Sequence, residues 1–334
     1  MKISIKKLSL VLGTAAVGAA AFSTVAVASD FPTRPITITV PFTAGGATDV
    51  LTRTVAEGLS KELGQTVVVA NVPGAGGSIG QSKVARERPD GYNLLLGNVG
   101  TLAANASLYE NLPYNILTDF TPIASVGDAP QVLTVHAGFP ADTFEEFVER
   151  ARNNGDEMNF GTAGVGSGSF LGGVVLNAAI GAKIEPVHYR GAAQATSDVM
   201  AGHIDYTIES SSTAVSTAAS GKAKIMLVMR ESRVDVLPNV TAAGETAFPD
   251  MKYDIWNMIL APKGVPEPVL QKLNDAINRT LQQPEVKERY AKMGISVPTE
   301  SHRSLEGSKE LLSLEVENWR KLLQEAGVKA QASS

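Results

Sequence analysis

The sequence predicts an α/β protein made of two similar units, and three observations support this. Short β-branched strands alternate with amphipathic helices, beginning with the strand Ile36–Val40 and a helix whose apolar residues recur every four positions from Leu51 to Leu63. The same alternation starts again after Asp119. A length of 334 residues suits two domains of about 150 residues each. We therefore expect two α/β units, each with a largely parallel sheet.

The composition excludes several classes of function. The chain has 29 Lys+Arg and 34 Asp+Glu, a formal charge of -5, so it lacks the basic surface that a nucleic-acid-binding protein needs. It contains no Cys, which excludes disulfides, thiolate nucleophiles and Cys-bound zinc. With 44% hydrophobic and 19% charged residues, the chain can bury a large core and is not disordered.

Residues 1–28 have the pattern of a secretory signal peptide. Three lysines near the start are followed by an apolar run that ends in the small-x-small sequence Ala26-Val27-Ala28. A membrane anchor is the alternative, because the apolar run approaches spanning length, but its Ala and Gly content favours cleavage. Cleavage after Ala28 would remove 28 residues and three lysines, leaving 306 residues and a formal charge of -8. We expect a periplasmic protein that, without Cys, carries no lipid anchor.

Two long apolar segments indicate how the units are connected. Residues 123–135 could carry the chain from the first unit into the second, and residues 253–260 could carry it back. We therefore place residues 29–127 and 256–334 in one lobe and residues 128–255 in the other.

Catalytic motifs are weak. Gly76-Gly77-Ser78-Ile79-Gly80 fits the G-x-S-x-G pattern of α/β-hydrolases, but Pro73-Gly74-Ala75 separates Ser78 from the strand that such a nucleophile should follow directly. A secreted serine hydrolase using Ser78 is the alternative from a different class. There is no P-loop or complete dinucleotide fingerprint, and the four histidines lack metal-binding spacing. We expect no enzyme activity, no metal and no cofactor.

Two glycine-rich loops favour the binding of an anion. Gly45-Gly46 separates a predicted strand from a helix, and Gly164-Val165-Gly166 has the same position in the second unit. The first N–H groups of a helix are unpaired and partially positive, so a carboxylate can bind there without Lys or Arg. Asp49 would not face an anion directly, but it could cap N–H groups or orient a water. The alternative is a pair of ordinary glycine-rich turns.

A series of short motifs extends along nearly the whole chain after the predicted signal peptide. In order they are Val40-Pro41-Phe42, Gly45-Gly46, Asn71-Val72-Pro73-Gly74-Ala75-Gly76-Gly77-Ser78-Ile79-Gly80, Pro89-Asp90-Gly91-Tyr92, Asp119-Phe120-Thr121-Pro122-Ile123, Gly164-Val165-Gly166-Ser167, Tyr189-Arg190-Gly191, Gly202-His203-Ile204-Asp205 and Ala261-Pro262-Lys263-Gly264-Val265-Pro266. This ordered set resembles the Bug receptors, the periplasmic solute-binding proteins of the tripartite tricarboxylate transporter family.

The resemblance implies a type II periplasmic-binding-protein fold, in which two α/β lobes joined by two crossover segments close over a ligand. It implies a monomeric receptor that captures a di-, tri- or aromatic carboxylate and delivers it to a membrane permease. An orphan sensory receptor that presents the carboxylate to a histidine kinase is the alternative. Carried over by position, the ligand-binding residues are Thr43, Ala44, Gly45, Gly46, Asp49, Asn98, Thr101, Thr162, Ala163, Gly164, Val165, Ser167, Tyr189 and Asp205.

Some residues in this set have separate expected roles. Asp205 would organise a loop or water, and Tyr189 would border the cleft. Arg53 would form a structural ion pair, whereas the resemblance leaves the role of Arg190 open. The chain departs from the family after the second glycine loop, where many relatives have His-Leu-Ala/Gly-Glu and this chain has Phe170-Leu171-Gly172-Gly173. We expect Phe170 to make that edge of the cleft more apolar and to permit an aromatic or aliphatic carboxylate.

Overall fold

The computed structural model describes residues 30–189 and 191–332, so the predicted signal peptide and Arg190 lie outside the described residues. The first lobe begins with three strands, each followed by a helical segment. In chain order these are β1 (Ile36–Val40), α1 (Ala47–Leu63), β2 (Val67–Asn71), a 3₁₀ turn (Ala75–Gly77), α2 (Ser78–Ala85), β3 (Asn93–Asn98), a π-helical turn (Val99–Ala104), α3 (Asn105–Leu108) and β4 (Tyr109–Glu110). Helix α1 ends at Gly64, whose left-handed backbone closes it as the sequence predicts.

The second lobe has the same alternation, and the chain then returns to the first lobe. The second lobe contains the end of β5 (Phe120–His136), then α4 (Phe144–Asn154), β6 (Asn159–Thr162), α5 (Gly168–Ile180), β7 (Glu185–His188), α6 (Ala192–Ala201), β8 (Tyr206–Ser210), α7 (Ser211–Ala219) and β9 (Ala223–Val228). The returning segment is β10 (Asp254–Pro262), α8 (Glu267–Gln282), α9 (Pro284–Lys292), α10 (Glu300–Arg303), α11 (Leu305–Glu325) and β11 (Gln331–Ala332).

Strand β5 belongs to both lobes. Its first part, up to Pro130, pairs with β10, and the first-lobe strand order is β2-β1-β3-β10-β5. From Gln131 onward it lies between β8 and β9, and the second-lobe order is β9-β5-β8-β6-β7. The two sheets are therefore joined by one continuous strand rather than by a loop.

The prediction of a largely parallel sheet is only partly correct. Strands β1, β2 and β3 are mutually parallel, as are β6, β7 and β8. By contrast, β10 is antiparallel to both β3 and β5, and β5 is antiparallel to β8 and β9. The reason is that β5 carries the chain from the first lobe into the second and β10 returns it beside β5 in the opposite direction.

Two β-bulges in β5 are held by side chains of the first lobe. The register against β10 shifts at Ile123 and at Val126, which leaves one extra residue in β5 at each place. The amide of Asn274 donates to the carbonyl of Ile123, and the hydroxyl of Tyr290 donates to the carbonyl of Val126. The carbonyl group of each bulged residue is therefore hydrogen-bonded, although the residue itself has no partner in the β5–β10 pairing.

The packing follows from the amphipathic helices. In the first lobe, α1 and α8 bury residues such as Leu51, Val55 and Leu273 against the sheet. A second core surrounds the second-lobe sheet and extends to the π-helical turn and to Trp319 of α11. Within the described ranges, every helix is too short or too polar to cross a membrane.

A cluster of charged residues lies where the chain passes between the lobes. Asp128 exchanges two backbone hydrogen bonds with Ser296, at 2.9 and 3.0 Å. Arg230 donates from Nε to both carboxylate oxygens of Asp254, at 2.7 and 2.8 Å, and from Nη1 to the Ser296 hydroxyl. Burial raises the pKa of Asp128 to about 7, with repulsion from Asp254 adding to the shift and Arg230 opposing it.

We expect Asp128→Asn to change how stability depends on pH. When an acid has a higher pKa in the folded protein than in the unfolded chain, its protonated form stabilises the fold. This stabilisation is complete below the unfolded-state pKa and is lost as the pH rises through the folded-state pKa. The full shift would correspond to ~4 kcal/mol, but Asp128 is partly exposed, so we expect about 2 kcal/mol. The unfolding free energy of the variant, relative to the natural chain, should rise by this amount between pH 4 and pH 8.

Urea unfolding at pH 4, 6 and 8 measures this difference. The exposed Asp250→Asn is the matched control and should leave the pH dependence of stability unchanged. A constant stability difference between Asp128→Asn and the natural chain over this pH range would contradict the prediction.

Candidate functional site: the cleft between the lobes

A cleft of about 570 Å³ lies between the lobes, where the carboxyl ends of β1, β3 and β6 meet. The loops that follow these strands form opposite walls, and Ile255 of β10 contributes to the lining. This is the edge at which the carboxyl ends of parallel strands place ligands in open α/β sheets.

The structure brings many of the predicted residues together at this cleft. The lining includes Thr43, Gly46, Asp49, Asn98, Thr101, Ala163, Val165 and Ser167. Ala44 and Gly45 belong to the same β1–α1 loop, and Thr162 and Gly164 to the same β6–α5 loop, but these four residues do not line the cavity.

Asp49 holds the β1–α1 loop in place. Its side chain is only 3% exposed and accepts hydrogen bonds from the Gly45 N–H (2.9 Å), Arg53 Nε (3.0 Å) and Asn71 Nδ2 (2.9 Å). Burial alone would raise the pKa of Asp49, but the hydrogen bonds from Arg53, Gly45 and Asn71 outweigh it and keep the pKa below its usual value. The carboxylate therefore stays charged and is occupied by the protein's own donors, and Arg53 serves its predicted structural role.

Asn98 caps the π-helical turn at the end of β3. Its Oδ1 accepts from the N–H groups of Gly100 (3.1 Å) and Thr101 (3.2 Å), and the Thr101 hydroxyl accepts from the Asn98 N–H (3.0 Å). Because the oxygen of the amide is fixed by these donors, the Nδ2 group must point the other way. Asn98 therefore places a neutral hydrogen-bond donor at the cleft wall.

Hydroxyl groups hold the second glycine loop. Thr162 Oγ1 accepts from the Gly164 N–H (3.2 Å) and is 2.7 Å from His188 Nδ1. Ser169 Oγ accepts from the Ala163 N–H (2.9 Å), and Ser167 caps α5 by accepting from the N–H of its third residue. Gly164 has φ 104°, a left-handed conformation that favours glycine. The loop is thus fixed before any ligand binds.

The positive potential of the cleft comes from the backbone. α1, the π-helical turn, α5 and α6 all begin at the cleft, and neither Gly46 of α1 nor Gly191 of α6 provides a side-chain cap. Their first N–H groups carry partial positive charge and lack intrahelical partners. Among the described lining residues there is no Lys, Arg or His. This arrangement suits an anion held by amides rather than by side-chain cations.

The two walls come close together at Gly100 and Gly166. A Cβ atom added to Gly100, in the π-helical turn of the first lobe, would lie 2.9 Å from the carbonyl oxygen of Gly166 in the second lobe. The backbones of the two lobes therefore approach each other here, and the side chains of Leu108 and Asn105 lie beside Gly166 as well. A side chain at position 100 would have to push them apart.

Tyr189 and Asp205 do not line the cavity. The Tyr189 N–H donates to the Thr162 carbonyl, and its hydroxyl donates to Asp198 of α6 (2.6 Å), so the Tyr189 hydroxyl is already paired within the second lobe. Burial, the hydrogen bond to Asp198 and its charge raise the pKa of Tyr189 to about 12. Asp205 accepts from the N–H of Asn159, which begins β6, about 10 Å along that strand from the cleft.

The expectation for Phe170 is wrong. Its side chain is 5% exposed and packs 5.7 Å from the His188 ring, on the side of α5 away from the cleft. Leu171, one residue later, lines the cleft instead.

The glycine at position 173, where many relatives have Glu, is explained by packing. A Cβ atom on Gly173 would lie 2.2 Å from the Phe160 ring, which leaves no room for a side chain.

Ser78 lies outside the cleft. It begins α2, is 6% exposed, and follows a 3₁₀ turn that separates it from β2. No hydrogen bond joins Ser78 to any of the four histidines, all of which lie in the described ranges. The geometry of a nucleophile with an adjacent base is not present at this residue.

The sequence prediction missed several cleft residues. Asn105, Tyr109, Leu171 and Ile255 line the cavity, as does the β2–α2 loop at Gly76. Of these, only the glycines of the β2–α2 loop have a signal in the sequence, the G-x-S-x-G pattern, and that pattern points to a nucleophile rather than to a ligand wall.

Comparisons with known proteins agree with this geometry. The sequence model of the tripartite tricarboxylate transporter family receptor matches residues 51–328. The structure of the periplasmic binding protein BugD is 35% identical, with a TM-score of 0.77 over 90% of this chain and 100% of that one. MatC from Rhodopseudomonas palustris, solved with bound malate, is 32% identical, with a TM-score of 0.76 over 88% and 100%.

An R. palustris protein solved with adipate is 28% identical, with a TM-score of 0.79 over 90% of this chain and 100% of that one. These likenesses confirm the predicted two-lobed periplasmic-binding-protein fold. The chain belongs to the tripartite tricarboxylate transporter receptor family, whose members are periplasmic solute-binding proteins.

Proposed function

We propose that this protein captures a small organic carboxylate in the periplasm and delivers it to a tripartite tricarboxylate transporter permease, without catalysing a reaction. The observation that carries this proposal is the convergence of uncapped helix N-termini on a cleft whose described lining has no cationic side chain. Relatives solved with malate and with adipate support a carboxylate ligand.

Capture depends on both walls. Gly46 and Asn98 present donors from the first lobe, and Ser167 and Gly191 begin the helices of the second lobe. A carboxylate between the walls is stabilised fully only when both sets of donors reach it, so the ligand favours the closed form. We place the moving lobes at residues 29–127 with 256–334 and at residues 128–255. The mature receptor starts after Ala28, has no lipid anchor and acts as a monomer.

A thermal-shift panel tests the binding step. We expect at least one of succinate, L-malate, adipate, citrate, benzoate and L-glutamate to raise the melting temperature, and glucose to have no effect. A ligand at 100 times its Kd stabilises the fold by about 2.7 kcal/mol. A shift with glucose and none with the acids would contradict an amide-based anion site.

The delivery step needs a test in cells. Uptake of the identified acid should fall when the receptor gene is deleted in a strain that has the permease, and should return when the gene is restored. Unchanged uptake in the deletion strain would contradict delivery while leaving binding intact.

A further inference from the structure

Gly76 fixes two polar side chains at one end of the cleft. The Asn105 amide donates from Nδ2 to the Gly76 carbonyl at 2.8 Å. The Tyr109 hydroxyl lies over the same glycine, since a Cβ atom on Gly76 would be 2.5 Å from it. Both side chains line the cleft.

The bond to Gly76 decides which way the Asn105 amide faces. A carbonyl can only accept, so the nitrogen of the amide must point towards Gly76 and the oxygen must point away from it. The oxygen faces Gly166 on the opposite wall, where a Cβ atom would lie 3.5 Å from it.

Asn105 as a residue is 2% exposed, but its Oδ1 is not one of the buried unpaired atoms of the described residues, and no described residue donates a hydrogen bond to it, so this oxygen is open to the cleft. An acceptor that loses its water when a ligand fills the cleft must be paired by a donor of that ligand, because an acceptor left unpaired is costly. Elsewhere along these walls the backbone and the Asn98 amide present donors, which suit the oxygens of a carboxylate. Asn105 Oδ1, by contrast, is a hydrogen-bond acceptor. A carboxylate oxygen can also only accept, so it cannot form a hydrogen bond with Asn105 Oδ1.

We propose that Asn105 determines specificity by accepting a hydrogen bond from a hydroxyl or ammonium group of the ligand. The preferred ligand is then a carboxylate that carries such a donor rather than an unsubstituted acid. The Tyr109 hydroxyl, beside it, donates to an oxygen of the same ligand. This inference rests on the proposed capture of a carboxylate in this cleft.

Matched acids test the proposal. Calorimetric titration of the full mature chain would compare an unsubstituted acid with its hydroxy and amino forms on three skeletons: succinate, L-malate and L-aspartate; glutarate, L-2-hydroxyglutarate and L-glutamate; propionate, L-lactate and L-alanine. On the skeleton that binds, we expect the hydroxy or the amino form to bind about five- to tenfold more tightly than the plain acid. Which of the two forms is preferred identifies the donor.

Asn105→Leu and Asn105→Ala should remove this preference, so that the ratio of Kd values within a skeleton approaches one while the plain acid still binds. Retained binding of the plain acid shows that the variants are folded. Two outcomes overturn the inference and leave the proposed function intact: equal affinity within every skeleton in the natural chain, or an unchanged ratio in both variants. An equal weakening of all forms would show that Asn105 joins the lobes, and this too overturns it. Failure of every acid to bind overturns the proposed function.

Discussion

Gly100→Val should weaken ligand binding by at least about 100-fold. A Cβ atom at this position meets the backbone carbonyl of Gly166 at 2.9 Å, and a backbone atom cannot rotate away as a flexible side chain can. The larger valine side chain would keep the walls apart, so that the donors of the second lobe no longer reach the ligand. Losing two hydrogen bonds to a charged group costs about 3 kcal/mol, which corresponds to about 100-fold in Kd.

Calorimetric titration with the best acid from the thermal-shift panel measures the effect. The backbone of Gly100 does not have a positive φ, so valine introduces no strain of that kind and each lobe should keep its fold. Gly138→Val, outside the cleft, is the matched control, because a Cβ atom there meets only the His136 ring, at 3.5 Å. Equal affinity of Gly100→Val and the natural chain would show that this contact does not limit closure.

Asp49→Asn should destabilise the first lobe by about 2–3 kcal/mol and weaken binding at the β1–α1 loop. The carboxylate accepts from three donors in a buried position, and an amide in its place offers one oxygen and two N–H groups. At least one of the donors from Gly45, Arg53 and Asn71 then loses its acceptor or faces another donor. Leaving a buried group unpaired costs about 1–3 kcal/mol, and more where a charge is involved.

Urea unfolding measures the loss of stability, and titration with the same acid measures the loss of affinity. Arg53→Met is the control, because it removes the half-exposed partner of the ion pair together with its exposed hydrogen bond to Asn71, and it should cost less than about 1 kcal/mol. If Asp49→Asn were no more destabilising than Arg53→Met, the carboxylate would not be the centre of this network.

Elements with local signals could be predicted from the sequence. The strand β1 and the end of α1 at Gly64 were predicted correctly. Both have signals that are contained in a short stretch of sequence: a β-branched run for the strand, and an apolar repeat followed by a glycine for the helix. The capping box that starts α4 is a local signal of the same kind, with Thr143 and Glu146 bonded to each other's N–H groups.

Features that depend on packing between distant segments could not be predicted. Helix α5 is apolar on nearly all sides, so its sequence does not show that Leu171 faces the cleft and Phe170 faces away. Asn105 became a candidate only because its amide reaches Gly76, 29 residues earlier in the chain. The fold class follows from periodicity, whereas the cleft wall depends on which face of each element meets its neighbours.

The continuous strand β5 also affects how the protein resists proteases. Proteins whose domains are joined by an exposed loop are cut there first, because a protease needs an extended, unpaired segment. Here the passage from Pro130 to Gln131 lies inside a ladder, and the bulges before it are held by Asn274 and Tyr290. The lobe closure proposed above would therefore expose no cleavable segment at this crossing.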